Sequence, residues 1–208
     1  MLWARHGQNV ANLTHTLSHR VFDGDLTDVG RRQAEDLAAR LAASGSDPIG
    51  LLACSPLRRA RQTADIIGHH LGRPVPMILD DLREVNVGVL DGRGDAEAWA
   101  TYSEVLAAWR AGDAAARFPG GEDCHELCAR LRRALEAVAR SAGTARSLVV
   151  AHGANLRAAL PALTGQADPG ADLPTGETAR LWVDPDRAPY PLVRLRSWPG
   201  AEIKNGGR

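Results

Sequence analysis

Three short apolar runs, LWA, IGLLAC and SLVVA, constrain this chain more than any other feature of its sequence, because each ends at a polar turn that leads on to helical periodicity. Brief apolar runs between turn residues read as strands buried on both faces. Strands that alternate with helices build a sheet with helices on both sides, and such a sheet takes its ligands beyond the carboxyl ends of its strands. With 208 residues the chain is long enough to bury one substantial core, so a single domain over 1–208 is expected.

The helices can be placed from their spacing. Ala34, Leu37, Ala38 and Leu41 share one helical face, with Thr27 as N-cap and Asp28 favourable to the first-turn dipole. Ser55 and Pro56 open a second helix, on which Leu57, Ala60, Ala64, Ile67 and Leu71 recur before it ends near Gly72, with Pro74 beyond. VPMIL then reads as a short strand, and residues 80–95 as a loop placed by its glycines. Residues 96–112 are helical, FPGG is a turn, and Cys124, Leu127, Cys128, Leu131, Leu135 and Val138 line one face of a further helix as core. After SLVVA comes ANLRAALPALTG, a helix that Pro161 kinks or splits. ARLWVD and PLVRLRS are the last two expected strands, and 200–208 a frayed tail.

Charge and cysteine content exclude several function classes. Lys and Arg total 25, as do Asp and Glu, so no broad basic field draws nucleic acid or an acidic membrane. Lys204 is the only lysine; the cations are otherwise arginines, whose forked guanidinium matches carboxylate or phosphate. Three cysteines without a CxxC pair outline neither a disulfide framework nor a zinc site. Four residues before Arg5 do not make a signal peptide, and no apolar run approaches a bilayer-spanning length, so a cytoplasmic location is expected. No G-x-G-x-x-G or G-x-x-x-x-G-K-[ST] pattern follows any strand, which argues against a nucleotide cofactor fold.

Three strand ends deliver polar groups to one sheet edge: His6 after the first run, Ser55 and the following arginines after the second, and His152 after the third. ARHGQNVAN, SPLRRARQTA, LREVNVGVLDG, FPGGED and VVAHGANLR, in this order, resemble the motifs of the histidine phosphatase superfamily, the phosphoglycerate mutase-like proteins, over about residues 1–165. That resemblance implies a three-layer α/β/α sandwich with a mostly parallel central sheet and a small helical insert over the site, here at about 93–122. It also implies a phosphohistidine intermediate and no metal or other cofactor. By the same resemblance His6 is the nucleophile, Glu84 the general acid and His152 a partner imidazole, protonated, that holds a phosphate oxygen; Arg5, Asn12 and Arg59 bind phosphate. The chemistry fits, since phosphoryl transfer needs positioning and cationic stabilisation more than covalent help, and a neutral imidazole attacks competently at neutral pH. Arg58 and Arg59 diverge by about 100° on a helix, so only one of them reaches a given oxygen, and the motif selects Arg59.

Each residue also has a plainer reading. Glu84 is equally a loop charge, Asn12 a turn residue, and Trp99, Tyr102 and Trp109 of the insert are core as readily as pocket. Arg61, His69, His70 and His125 read as helix surface, and His15 with His19, lacking a third ligand, as a polar loop rather than a metal site. The stretch THTLSHRVFDGDLT departs from the family's phosphate loop and offers Ser18, His19 and Arg20; His19 and Arg20 are expected to meet a second anionic group on the substrate. The expected partner is a small phosphorylated substrate, with no nucleic acid or membrane and with a homodimer left open. Hydrolysis of a phosphomonoester is favoured, because the Glu84–His152 segment is short for a mutase. Mutase-type transfer and an inactive binding module are the alternatives.

Overall fold

The computed structural model describes residues 1–72, 75–187, 192–201 and 203. Pro74 and most of the expected tail lie outside the described residues. The chain order is β1 (Leu2–Arg5), α1 (Val10–Thr14), α2 (Asp28–Ala43), β2 (Ile49–Cys54), α3 (Arg58–His70), β3 (Met77–Ile78), α4 (Ala96–Arg110), α5 (Cys124–Ala142), β4 (Arg146–Ala151), α6 (Gly153–Thr164), β5 (Thr178–Asp184) and β6 (Leu192–Ser197). Single 3-10 turns at Asp80–Leu82 and Gly88–Leu90 punctuate the loop that carries Glu84.

The strands form one six-stranded sheet in the order β3-β2-β4-β1-β5-β6. The first four run parallel; β5 and β6 are antiparallel to their neighbours. Side-chain alternation divides the core between the two faces. Trp3, Val149 and Ala151 point to the side packed by α5 and α6, whereas Leu2, Ala4, Leu148 and Val150 point to the side of α2 and α3. This is the α/β sandwich expected from the alternating pattern.

Local signals explain most element ends. Thr27 caps α2 by accepting from Gly30 N, as expected, and Asp123 with Glu126 closes a reciprocal capping box on α5. Two expectations are corrected. Helix α3 begins at Arg58 rather than at Ser55: Ser55 Oγ accepts the Leu57 N–H ahead of the helix, and the Asp23 carboxylate, from a distant loop, accepts the Arg58 N–H of its first residue at 2.9 Å. Pro161 does not split α6, which runs unbroken from Gly153 to Thr164.

One close approach positions the site. A Cβ on Gly7 would lie 2.2 Å from Gly30 O, and one on Gly30 would lie 2.0 Å from Gln8 O. The turn after β1 therefore presses backbone to backbone on the first turn of α2, which only glycine permits.

Candidate active site

The carboxyl ends of β1, β2 and β4 are adjacent in the sheet, with Arg5 paired to Ala151 and Cys54 to Val150, so the residues that follow them meet at one edge. His6 is 3% exposed and His152 fully buried, their rings 5.2 Å apart and inclined at 64°. Arg59 enters from the first turn of α3, and Arg5 lies at the end of β1. Glu84 arrives on the loop after β3, its Oε1 accepting from Asn155 N at 2.7 Å in the first turn of α6 and from Val85 N at 2.9 Å. His6, Arg5, Arg59 and Glu84 line a cavity of about 720 Å³ together with Asn9 and Asn12, and His152 stands ring to ring with His6.

Hydrogen bonds assign the protons on both imidazoles. His6 Nδ1 lies 2.7 Å from Gly7 O, and a carbonyl only accepts, so Nδ1 carries the proton and Nε2 keeps its lone pair. That lone pair receives the Arg59 Nε–H at 3.1 Å. His152 is set the opposite way. Its Nε2 lies 2.9 Å from Ser55 Oγ, which already accepts the Leu57 N–H. Among the described residues the Ser55 hydroxyl has no other acceptor for its own proton, so it donates to Nε2 and leaves the proton of His152 on Nδ1, a buried atom with no protein partner. One imidazole thus offers a nucleophilic nitrogen and the other an unspent donor.

Burial, and then the Arg59 guanidinium, push both histidines well below the ordinary imidazole range. This favours the neutral form of His152 over the protonated one that was expected, and the Nδ1–H leaves it no need of a second proton to donate to an oxygen. Burial also raises the Glu84 carboxyl, against the hydrogen bond from Val85 and the pull of Arg59 and Arg5, which favours the acid form.

The asparagines act as a pair. Asn9 Oδ1 accepts from Asn12 N and Asn12 Oδ1 accepts from Asn9 N, a capping box at the start of α1 that consumes both carbonyl oxygens. Asn9 Nδ2 is left buried and unpartnered beside the cavity. Asn12 is thus both the turn residue and the cavity residue of its two readings.

His19 and Arg20 do not line the cavity. The Asp91 carboxylate accepts the backbone N–H groups of His19, Arg20 and Val21 and so turns the loop away. The His19 ring is buried and donates from Nδ1 to Glu84 O at 2.8 Å. Arg20 is exposed, 3.6 Å from Asp80. Ser18, from the same stretch, does reach the cavity and accepts from Arg59 Nη1 at 3.0 Å. Arg58 turns outward to Asp25, and Arg61, His69, His70 and His125 are exposed.

Sequence reasoning missed the support of Glu84. Arg130 of α5 spends its donors on the Asp81, Arg83 and Glu84 carbonyls and on both oxygens of Glu122, whose Oε1 also accepts Asn86 N at 2.7 Å. This buried ion pair clamps the Glu84 loop to α5. Glu122 and Asn155 stand in the quoted FPGGED and VVAHGANLR stretches and were legible as candidates; Arg130 carries no local signal.

Comparison with known proteins bears on this geometry. A sequence model described as histidine phosphatase superfamily (branch 1) matches residues 1–195. A 2,3-bisphosphoglycerate-dependent phosphoglycerate mutase of Methylobacterium sp. (strain 4-46) is 36% identical over 187 residues, 85% of this chain and 87% of that protein. Among solved structures, a mycobacterial glucosyl-3-phosphoglycerate phosphatase bound to VO3 superposes with a TM-score of 0.75 at 26% identity over 95% of this chain and 97% of that one. A protein titled Mycobacterial hydrolase 1 gives 0.79 at 25% identity over 97% and 98%.

Proposed function

Because the chain belongs to the histidine phosphatase superfamily, branch 1, we propose that it hydrolyses a phosphomonoester of a small metabolite through a phosphohistidine at His6. The observation that carries this reading is the unprotonated Nε2 of His6, held in place by the ring's own Nδ1–H bond to Gly7 O and accepting from the Arg59 guanidinium.

The steps follow from the geometry. Phosphate oxygens replace His6 Nε2 and Ser18 as partners of Arg59 and draw on Arg5, Asn9 Nδ2, Asn12 and His152 Nδ1–H. His6 Nε2 attacks phosphorus as the ester P–O bond breaks on the opposite side, and the Glu84 carboxylic acid gives its proton to the departing alkoxide. Glu84, now a carboxylate, takes a proton from water as that water's oxygen attacks phosphorus; the P–N bond breaks and orthophosphate leaves. Fixed donors that point at the equatorial oxygens supply the electrostatic stabilisation.

Transfer of the phosphoryl group to a second hydroxyl is the rival reading, carried by the 36% identical mutase. The phosphatase neighbour at 26% identity supports hydrolysis. Purified protein incubated with phosphomonoesters in the presence of chelator should release orthophosphate, and His6→Ala should abolish release while its thermal unfolding stays cooperative. Isomerisation of a phosphoglycerate without phosphate release would favour the mutase, and activity retained in His6→Ala would remove the nucleophile assignment.

A further inference from the structure

Beyond the residues of the proposed phosphate cradle, the lining of the cavity is of a different character. A volume of about 720 Å³ lies well inside the range of ~300–1,000 Å³ that accommodates drug-sized ligands, far more than a three-carbon acid fills. Helix α4 contributes Trp99, Tyr102, Leu106 and Trp109 to the cavity lining, joined there by Leu17. Both indole N–H groups are spent on main-chain carbonyls, Trp99 on His15 O at 2.8 Å and Trp109 on Ala116 O at 2.7 Å, so they offer ring surface rather than donors. Phe118, fully buried behind them, stacks on Tyr102 and meets Trp109 edge-on, which makes the wall rigid.

Charge decides what this half can accept. Beyond Arg5 and Arg59, the cations that line the cavity are Arg110 and Arg157, and both are already answered. Arg157 lies 3.0 Å from Asp168 and bonds Asp172 as well, while Arg110 lies 3.4 Å from Asp168. Two guanidinium groups against two carboxylates leave no net positive charge there for a substrate carboxylate. A phosphate dianion takes the two arginines of the cradle, and a second anion on the alcohol would meet aromatic rings and guanidinium groups already paired with carboxylates, at a desolvation cost.

We infer that the alcohol half of the substrate is a bulky, uncharged group with an aromatic or alicyclic face, which packs on α4, and that phosphoglycerates are poor ligands. This inference rests on the proposed hydrolysis for its turnover but not for its binding test.

The two are separated by measuring binding in a variant that cannot turn over. Calorimetry on His6→Ala, with 1-naphthyl phosphate and 3-phosphoglycerate as probes, should give at least about tenfold tighter binding of the naphthyl ester. Leu106→Ala in the same background should shrink that preference by about tenfold, with thermal unfolding as the check that the fold survives. In the wild type the ratio of kcat/KM should follow the same order. Equal or tighter binding of 3-phosphoglycerate, or a preference untouched by Leu106→Ala in a folded variant, overturns the inference. Naphthyl preference in binding with no phosphate released from either ester would instead leave the inference standing and sink the hydrolase reading.

Discussion

Arg130→Met is the most informative perturbation of the site, because Arg130 supports the Glu84 loop without itself lining the cavity. Arg130 and Glu122 are 13% and 7% exposed, and removing one partner of such a pair strands the other charge in the interior, at a cost of about 3–5 kcal/mol. The carbonyls Arg130 serves lose less. Arg83 O keeps a bond from Asn155 Nδ2 at 2.9 Å and Glu84 O keeps the His19 ring, so the Asp81 carbonyl bears most of the loss, on the order of 1 kcal/mol. Together these amount to ~4–6 kcal/mol, a large share of the ~5–15 kcal/mol that holds a domain together. Replacing both partners, Arg130→Met with Glu122→Gln, leaves no stranded charge and should recover about 2 kcal/mol relative to the single change. Urea unfolding midpoints of the four proteins give the cycle. In the double variant, kcat should fall about tenfold with KM little changed, since Glu84 stays tethered through Asn155 N and Val85 N but its loop is no longer clamped. A single variant that costs under about 1 kcal/mol, or a double variant as unstable as the sum of the two singles, would refute the claim that this pair is a coupled buried clamp.

Ser55→Ala should let the His152 proton redistribute between its nitrogens and lower kcat more than KM, while Ser55→Thr, which keeps the hydroxyl, should restore it; nitrogen NMR of labelled histidine reads the tautomer directly, and an unchanged Nδ1–H signature in Ser55→Ala would reject the assignment. Gly7→Ala should be severely destabilising, by more than about 3 kcal/mol, because its Cβ meets backbone rather than a movable side chain; a variant with an unchanged thermal midpoint would contradict the close approach. Stability should fall as pH drops below about 6.5. His6, His152 and His19 have depressed values when folded, His19 down to about 4, so the unfolded chain binds protons that the folded one refuses. Each contributes a slope of about 1.4 kcal/mol per pH unit in that window, partly offset by Glu84, whose raised value works the other way. Urea midpoints at pH 7.5, 6 and 5 that stay level or rise would show that these rings are not buried neutral.

The strands and helices were legible because their signals are short-range. Thr27 caps α2 by accepting an N–H only three residues on, and the face of Cys124, Leu127, Leu131 and Leu135 follows from a period of 3.6. The start of α3 was misplaced because its cap, Asp23, comes from a loop 35 residues earlier, which no window around Ser55 contains. His19 and Arg20 were expected at the substrate because both can be cationic. What turned them away was Asp91, some 70 residues on, which gathers three of the loop's N–H groups.

By itself the sequence determined that strands alternate with helices, that His6, Ser55, Arg59 and His152 follow strand ends, and which family's motifs the chain carries. Only the folded chain decided which residues line one cavity, which nitrogen of each imidazole bears the proton, and that the cavity beyond Arg5 and Arg59 is walled by tryptophan and by guanidinium groups already paired with carboxylates. The reason is physical: periodicity and capping are interactions between near neighbours, whereas a proton's position on His152 depends on a hydroxyl 97 residues away, brought within 2.9 Å only by the pairing of β2 with β4.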